Sequence, residues 1–141
     1  MEIVVGMSGI AETKVELGNT ACSYKSGVVE VFATPSMIAL MESAACECLA
    51  KCMGPGQTTV GASVNVSHVA ASPIGSTVTA KATVKSVDGR KLMFDVEAWD
   101  EFGTIGSGTH GRAIIDIERF MAKAASRVGL LDTESGTTVK S

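Results

Sequence analysis

Aromatic residues are scarce in this 141-residue chain, which holds one tryptophan, one tyrosine and four phenylalanines. So few rings exclude the stacking platforms on which proteins bind single-stranded nucleic acids. Positive charge is also scarce, since 12 lysines and arginines are outnumbered by 15 acidic residues and the formal net charge is −3. This negative balance disfavours binding to the phosphate backbone of DNA or RNA, so we expect no nucleic-acid partner.

Long hydrophobic runs are missing too, because no segment is apolar over the roughly 20 residues that a membrane-spanning helix needs. The first residues, MEIVVGMSGIAETKVEL, lack the basic start of a secretory signal. We therefore expect a cytoplasmic protein with no membrane partner.

Cysteine is limited to four residues, three of which share one apolar segment. Their spacings of two and six residues would separate the thiols on a helix, which excludes a disulfide or a tetrahedral zinc site there. The expected state is reduced, buried thiols. The four residues are Cys22, Cys46, Cys48 and Cys52.

Apolar residues, in contrast, make up 45% of the chain, against 19% charged residues, and the mean hydropathy is +0.28. This is more apolar material than a monomeric domain of this size usually carries, and it indicates a subunit interface. We expect a single domain over residues 1–125. Residues 126–141 are polar and are expected to form a disordered tail.

One long helix is predicted from Pro35 to about Met53, with Thr34 as its N-cap and a Gly-Pro-Gly sequence after its end. Glu42 lies on the apolar side of this helix, about 140° around the axis from Glu47. A carboxylate among apolar neighbours loses hydration and needs a partner, so it is either a structural group or part of an active site. The polar residues expected to face solvent are Ser36, Ser43, Glu47 and Lys51.

Downstream of the helix the pattern has a period of two, which is typical of half-buried strands. Asp88-Gly89 is a strong signal for a tight hairpin between two of these strands. A sheet with one apolar face needs a cover, so the sequence predicts an α+β fold in which an antiparallel sheet wraps around the helix. The predicted strands are Ala11–Leu17, Thr59–Ala70, Thr77–Val87, Lys91–Asp100 and Thr104–Phe120.

Thr34, Glu42 and His68 are polar residues in apolar settings. A hydroxyl, a histidine base and a carboxylate that orients the histidine are the parts of a nucleophilic triad for acyl transfer. Each residue also has a structural interpretation. Thr34 could be only a helix cap, Glu42 could pair with Arg112 or Lys51, and His68 could be a hydrogen-bonded core residue.

His110 and Arg112 belong to the sequence GSGTHGR, which lies in a predicted strand rather than in a loop that enters a helix. It is therefore neither a P-loop nor a dinucleotide-binding motif. We interpret His110 as structural, and Arg112 as either an anion ligand or a solvated residue. With two histidines and no carboxylate cluster, a catalytic metal is not expected.

From about Val31 to Ala124 the chain resembles the hotdog-fold acyl-CoA thioesterases, and among them the fluoroacetyl-CoA thioesterases. The resemblance implies a hotdog fold and hydrolysis of a short-chain acyl-CoA without any cofactor beyond the coenzyme A of the substrate. It also implies a homodimer, with a dimer of dimers as a further option. The matching segments are VFATPSMIALMESAAC, VGASVNVSHVAASPIGSTVTAKA, SVDGRKLMFDVEA and IGSGTHGRAIIDIERFMAK.

The resemblance gives catalytic roles to Thr34, Glu42 and His68, with the threonine and glutamate from one subunit and the histidine from the other. Gly61 matches a glycine near the fluorinated carbon of the substrate, and Arg112 matches an arginine of the same region.

One position departs from the family pattern. The family has a phenylalanine gate upstream of the threonine, where this chain has Val28, with Phe32 nearby but out of register. We expect both residues to contact substrate. Because valine closes a pocket less tightly than phenylalanine, we expect a short acyl group other than fluoroacetyl.

Two other functions fit the same residues. A non-catalytic acyl-CoA binding module would keep the pocket and bind ligand without turnover. A hotdog dehydratase or hydratase would use His68 and a carboxylate on an enoyl or hydroxyacyl thioester and would not need Thr34. A purely structural protein would leave the three polar residues unexplained.

Overall fold

The computed structural model describes residues 2–25 and 27–135, and side chains as far as residue 129. In this part of the chain, five antiparallel strands form one sheet in the order β1-β3-β4-β5-β2, so β1 and β2 are its edges. The elements are β1 (Ser8–Lys14), a 3-10 turn (Leu17–Asn19), α1 (Thr34–Leu49), β2 (Gln57–His68), β3 (Thr77–Asp88), β4 (Lys91–Asp100), β5 (Gly103–Asp116) and α2 (Ile117–Ser135).

The core lies between α1 and one face of the sheet. Alternate residues of β3 and β4 are buried against the helix, as a period-two pattern requires. Gly9 of β1 lies directly on α1, since a Cβ there would collide with the Ala44 carbonyl and the Cys48 backbone. The buried core residues of the three elements include Met37, Met41, Ala44, Ala45, Leu49, Val78, Ala80, Ala82, Val84, Leu92, Phe94, Val96 and Ala98.

The predicted alternation in β2 is wrong because the strand contains a bulge. Gly61 pairs with Arg112 and Ser63 pairs with Gly111, so Ala62 is the extra residue. An extra residue reverses which side of the strand the following side chains face. Ala62, the residue at the bulge, is exposed.

α1 begins with Thr34 as its first helical residue and Ala33 as its N-cap, and it ends at Leu49, before the predicted end. No side chain caps the helix, so the prediction that Thr34 is the cap is wrong. Ser36, predicted to face solvent, is buried, and its hydroxyl is satisfied because it donates to the Asn19 carbonyl at 3.0 Å.

The C-terminal part also differs from the prediction. The last strand ends at Asp116, whose Oδ1 accepts the Arg119 backbone N–H at 3.1 Å, a typical N-cap contact for α2. α2 continues through residues 126–135 of the segment that was predicted to be a disordered tail, and residues 136–141 lie outside the described residues. No helix in the described part is long and apolar enough to cross a membrane.

The four cysteines form no disulfide. Cys48 is buried in α1, and burial raises the pKa of its thiol, with nearby Cys52 adding to the effect. Cys22 and Cys46 are exposed, so the expectation that all the thiols are buried is wrong. Cys46 is exposed because it lies on the side of α1 away from the sheet.

We predict that Gly9→Ala lowers the free energy of unfolding by about 1–3 kcal/mol, because the added methyl group must push α1 away from β1. Gly18→Ala is the matched control, since a Cβ at Gly18 meets no atom within 4 Å. Chemical denaturation followed by circular dichroism measures both. Equal stabilities of the two variants would contradict the close packing at Gly9.

Candidate active site

Thr34 and His68 meet where α1 begins beside the end of β2. The Thr34 hydroxyl Oγ1 lies 2.7 Å from Nδ1 of His68. Thr34 is in the first turn of α1, where backbone N–H groups have no partner within the helix. Such groups stabilise negative charge that develops on a nearby oxygen, as it does on a carbonyl under nucleophilic attack.

The His68 ring is suited to proton transfer. Burial lowers the pKa of His68 below its ordinary value, and the Ala70 backbone offsets part of this effect. The ring is therefore neutral at pH 7 and its Nδ1 can accept the Thr34 proton. In that tautomer Nε2 carries the hydrogen, and Nε2 is buried without a hydrogen-bond partner in the described chain.

A cavity of about 440 Å³ opens beside this pair, a size usual for small-molecule sites. Phe32, which is 1% exposed, forms part of its wall. Val28 is 91% exposed and does not line this cavity, so its contact with substrate stays a prediction. The lining residues are Ala21, Val31, Phe32, Thr34, His68, Val69, Ala70 and Ala71.

Glu42 belongs to a second polar cluster, where α1 passes over β5 and β2. Its Oε2 lies 3.5 Å from Nη1 of Arg112, and the Glu42 side chain is 39% exposed. Arg112 is only 6% exposed, and it also donates from Nε to Thr59 Oγ1 at 2.9 Å and from Nη2 to the Thr59 carbonyl at 3.0 Å. The buried guanidinium is therefore satisfied, and the structural pairing of Glu42 with Arg112 is present.

Gly61 gives this cluster its space. A Cβ at Gly61 would lie 2.5 Å from Oε2 of Glu42 and 3.4 Å from Cε1 of His110. Only a residue without a side chain leaves Glu42 in place, so Gly61 is part of the Glu42–Arg112 cluster.

His110 contacts Arg112, which the sequence pattern did not predict. It is 1% exposed, its Nδ1 lies 2.8 Å from the Ser63 carbonyl oxygen, and its Nε2 lies 3.1 Å from Nη1 of Arg112. A carbonyl can only accept and a guanidinium can only donate, so these two contacts fit the tautomer of His110 with its hydrogen on Nδ1. The two-residue spacing of His110 and Arg112 places both side chains on one face of a strand, and this is the sequence feature that could have predicted their contact.

The structure does not bring the two clusters together within one chain. Eight residues of α1 separate Thr34 from Glu42, about 12 Å along the axis. Gly61 and His68 are separated along β2 by roughly 20 Å. The resemblance assigned Thr34 and His68 to different subunits. That assignment is wrong, because the two side chains are in contact within the same chain.

We predict that the NMR signals of His110 show a neutral ring protonated at Nδ1, because Arg112 occupies Nε2 as donor. Long-range proton–nitrogen correlation spectra distinguish the two neutral tautomers. The chain has two histidines, so a spectrum of His68→Ala assigns the signals. Detection of hydrogen on Nε2 of His110 would contradict the network around Arg112.

Comparison with known proteins places the chain in a family. Residues 15–118 match the model of the fluoroacetyl-CoA-specific thioesterase family. The chain is 46% identical over 98 residues to the fluoroacetyl-CoA thioesterase of Streptantibioticus cattleyicolor, an alignment that covers 70% of each protein.

Solved structures agree with this match. The fluoroacetyl-CoA thioesterase structure superposes with a TM-score of 0.84 at 38% identity, over 89% of this chain and 98% of that one. A hot-dog-like protein from Thermanaerovibrio acidaminovorans superposes with a TM-score of 0.80 at 24% identity, over 87% of this chain and 91% of its own. The predicted hotdog fold is confirmed, and the chain belongs to the fluoroacetyl-CoA-specific thioesterase family.

Proposed function

We propose that the Thr34–His68 pair hydrolyses the thioester of a short-chain acyl-CoA to the free acid and CoA. Thioester hydrolysis is the activity named for the family to which the chain belongs. The observation that carries the assignment of residues is the 2.7 Å contact between the hydroxyl and the imidazole, beside a cavity and at a helix N-terminus.

In the proposed reaction the thioester carbonyl oxygen lies against the backbone N–H groups of the first turn of α1. Thr34 Oγ1 attacks the carbonyl carbon while His68 Nδ1 takes its proton. Collapse breaks the carbon–sulfur bond, and His68 returns the proton to the sulfur of CoA. A water molecule then hydrolyses the acyl-threonine. In the alternative route Thr34 holds that water, which attacks the thioester directly. An acyl adduct trapped by rapid quench and found by mass spectrometry would select the first route.

We propose further that Glu42 of a second copy completes the site, in a homodimer. The buried Nε2–H of His68 needs an acceptor, and Glu42 of the same chain is engaged at the other cluster. The edge strand β2 is exposed over residues 61–65, and Ile38 and Ala39 leave apolar surface uncovered on α1. Pairing of two copies across these surfaces would hide a sheet edge and form two identical sites.

Val28 bears on the choice of acyl group. An exposed valine excludes water from a site less well than a phenylalanine would, so we propose a short acyl group other than fluoroacetyl as the natural substrate. The proposed chemistry uses only side chains and backbone of the protein. The free thiols suit the reducing cytoplasm, which we propose as the location.

Thr34→Ala is predicted to lower kcat by about 10²- to 10⁴-fold on the preferred acyl-CoA, because the hydroxyl that attacks or positions water is lost. Thr34→Ser keeps the hydroxyl and should retain most of the activity. A panel of acetyl-, fluoroacetyl-, propionyl-, butyryl-, crotonyl- and benzoyl-CoA, with products separated by chromatography, measures the effect.

Ligand binding with no release of CoA from any panel member would support the non-catalytic binding module instead. Hydration of crotonyl-CoA that survives in Thr34→Ala would support the hydratase. Either result would overturn the thioesterase assignment of Thr34 and His68.

Mixing the inactive variants Thr34→Ala and Glu42→Gln should restore roughly a quarter of wild-type activity, because half of the randomly exchanged dimers hold one intact site. Mixing Thr34→Ala with His68→Ala should restore none, since these two residues act from one chain. Recovery in the second mixture but not in the first would show that His68, rather than Glu42, crosses the interface.

A further inference from the structure

A basic cleft lies between the β3–β4 turn, the end of β5 and the first turns of α2. Its volume is about 640 Å³. Three cationic side chains line it, together with one carboxylate and apolar residues of β5 and α2. The lining residues are Arg90, Ile114, Ile115, Asp116, Arg119, Phe120, Ala122 and Lys123.

In the part of the chain that the structure describes, no ion pair neutralises the positive charge of the basic cleft. Within the described residues, the side chains of Arg90, Arg119 and Lys123 form no ion pair. The carboxylate of Asp116 is directed to a backbone N–H as the cap of α2. Arg119 and Lys123 are four residues apart on a helix, where like charges repel each other. In a chain of net charge −3, this concentration of cations is suited to an anionic ligand.

The basic cleft is close to the Glu42–Arg112 cluster. Ile114 is two residues beyond Arg112 on the same face of β5, a distance of about 7 Å along the strand. The Ile114 N–H donates to the Arg90 carbonyl at 2.8 Å, which fixes the β3–β4 turn beside the end of β5. If Glu42 serves the Thr34–His68 pair of a second copy, the basic cleft lies next to that shared site.

We propose that the basic cleft binds the phosphate groups at the nucleotide end of the acyl-CoA substrate, an inference that rests on the proposed function. Arginine presents a planar fork of donors that matches phosphate oxygens, and lysine adds a mobile charge. Phe120, which is 40% exposed, offers a ring face against which a purine can stack.

The test compares two thioesters of the same acyl group, one on CoA and one on pantetheine, which lacks the nucleotide and its phosphates. The double variant Arg119→Ala, Lys123→Ala should raise KM for acyl-CoA at least roughly tenfold and leave kcat unchanged, because charge-assisted contacts to phosphate are lost. Its kinetics on acyl-pantetheine should equal those of wild type. Arg127→Ala, one turn further along α2 and outside the cleft, is the charge-matched control. It should leave KM and kcat unchanged for both thioesters.

An unchanged KM for acyl-CoA, or an equal loss on both thioesters, would overturn the proposal. The double variant could also lose more kcat/KM on an acyl group carried by acyl carrier protein than on acyl-CoA. That result would overturn the proposal and assign the cleft to an acidic protein. Failure of the wild type to hydrolyse either thioester would instead contradict the proposed function. Calorimetry of CoA and pantetheine binding to the wild type and the double variant would then test whether the cleft binds phosphate. Equal CoA affinities of the two proteins would overturn the proposal.

Discussion

The close packing of α1 on the sheet is the constraint on which the other features depend. Glycine in β1 and alanines in β3 and in the helix let the backbones approach, and any larger residue at Gly9 would force them apart. The position of the helix then fixes both polar clusters at once. Its first turn brings Thr34 to the end of β2, and its middle holds Glu42 over Gly61.

The second constraint is the buried guanidinium of Arg112. A charge at 6% exposure is tolerated only when its donors are satisfied, and here Thr59, His110 and Glu42 satisfy them. The Nε2 atom of His110 lies 3.1 Å from Nη1 of Arg112 and shares this nitrogen with Glu42. The half-exposed carboxylate of Glu42 is thereby oriented by protein contacts before any substrate arrives, which is what a catalytic carboxylate needs.

Much of this arrangement could be predicted from residue patterns. The helix and the strands β3 and β4 follow from local periodicity, because each buries one face in a regular way. The hairpin between β3 and β4 was predicted from Asp88-Gly89, but its two turn residues are Gly89 and Arg90, since Asp88 still pairs with Lys91. The contacts of Thr34 and Ser36 could not be predicted, since both depend on partners 34 and 17 residues away along the chain. The start of α2 was missed because the apolar pattern of β5 runs into the helix without a break. Sequence also could not show which side chains meet within one chain, because that depends on the path of β2.

The bulge at Ala62 has a consequence for the comparison of relatives. Gly61 and His68 are an odd number of residues apart, and in a regular strand their side chains would point to opposite sides of the sheet. The one extra residue turns both toward α1. The length of this segment therefore matters more than its composition. A homologue that keeps the threonine, the glutamate and the histidine but is one residue shorter between the positions of Gly61 and His68 would present its imidazole to solvent, and a tally of shared residues would not reveal it.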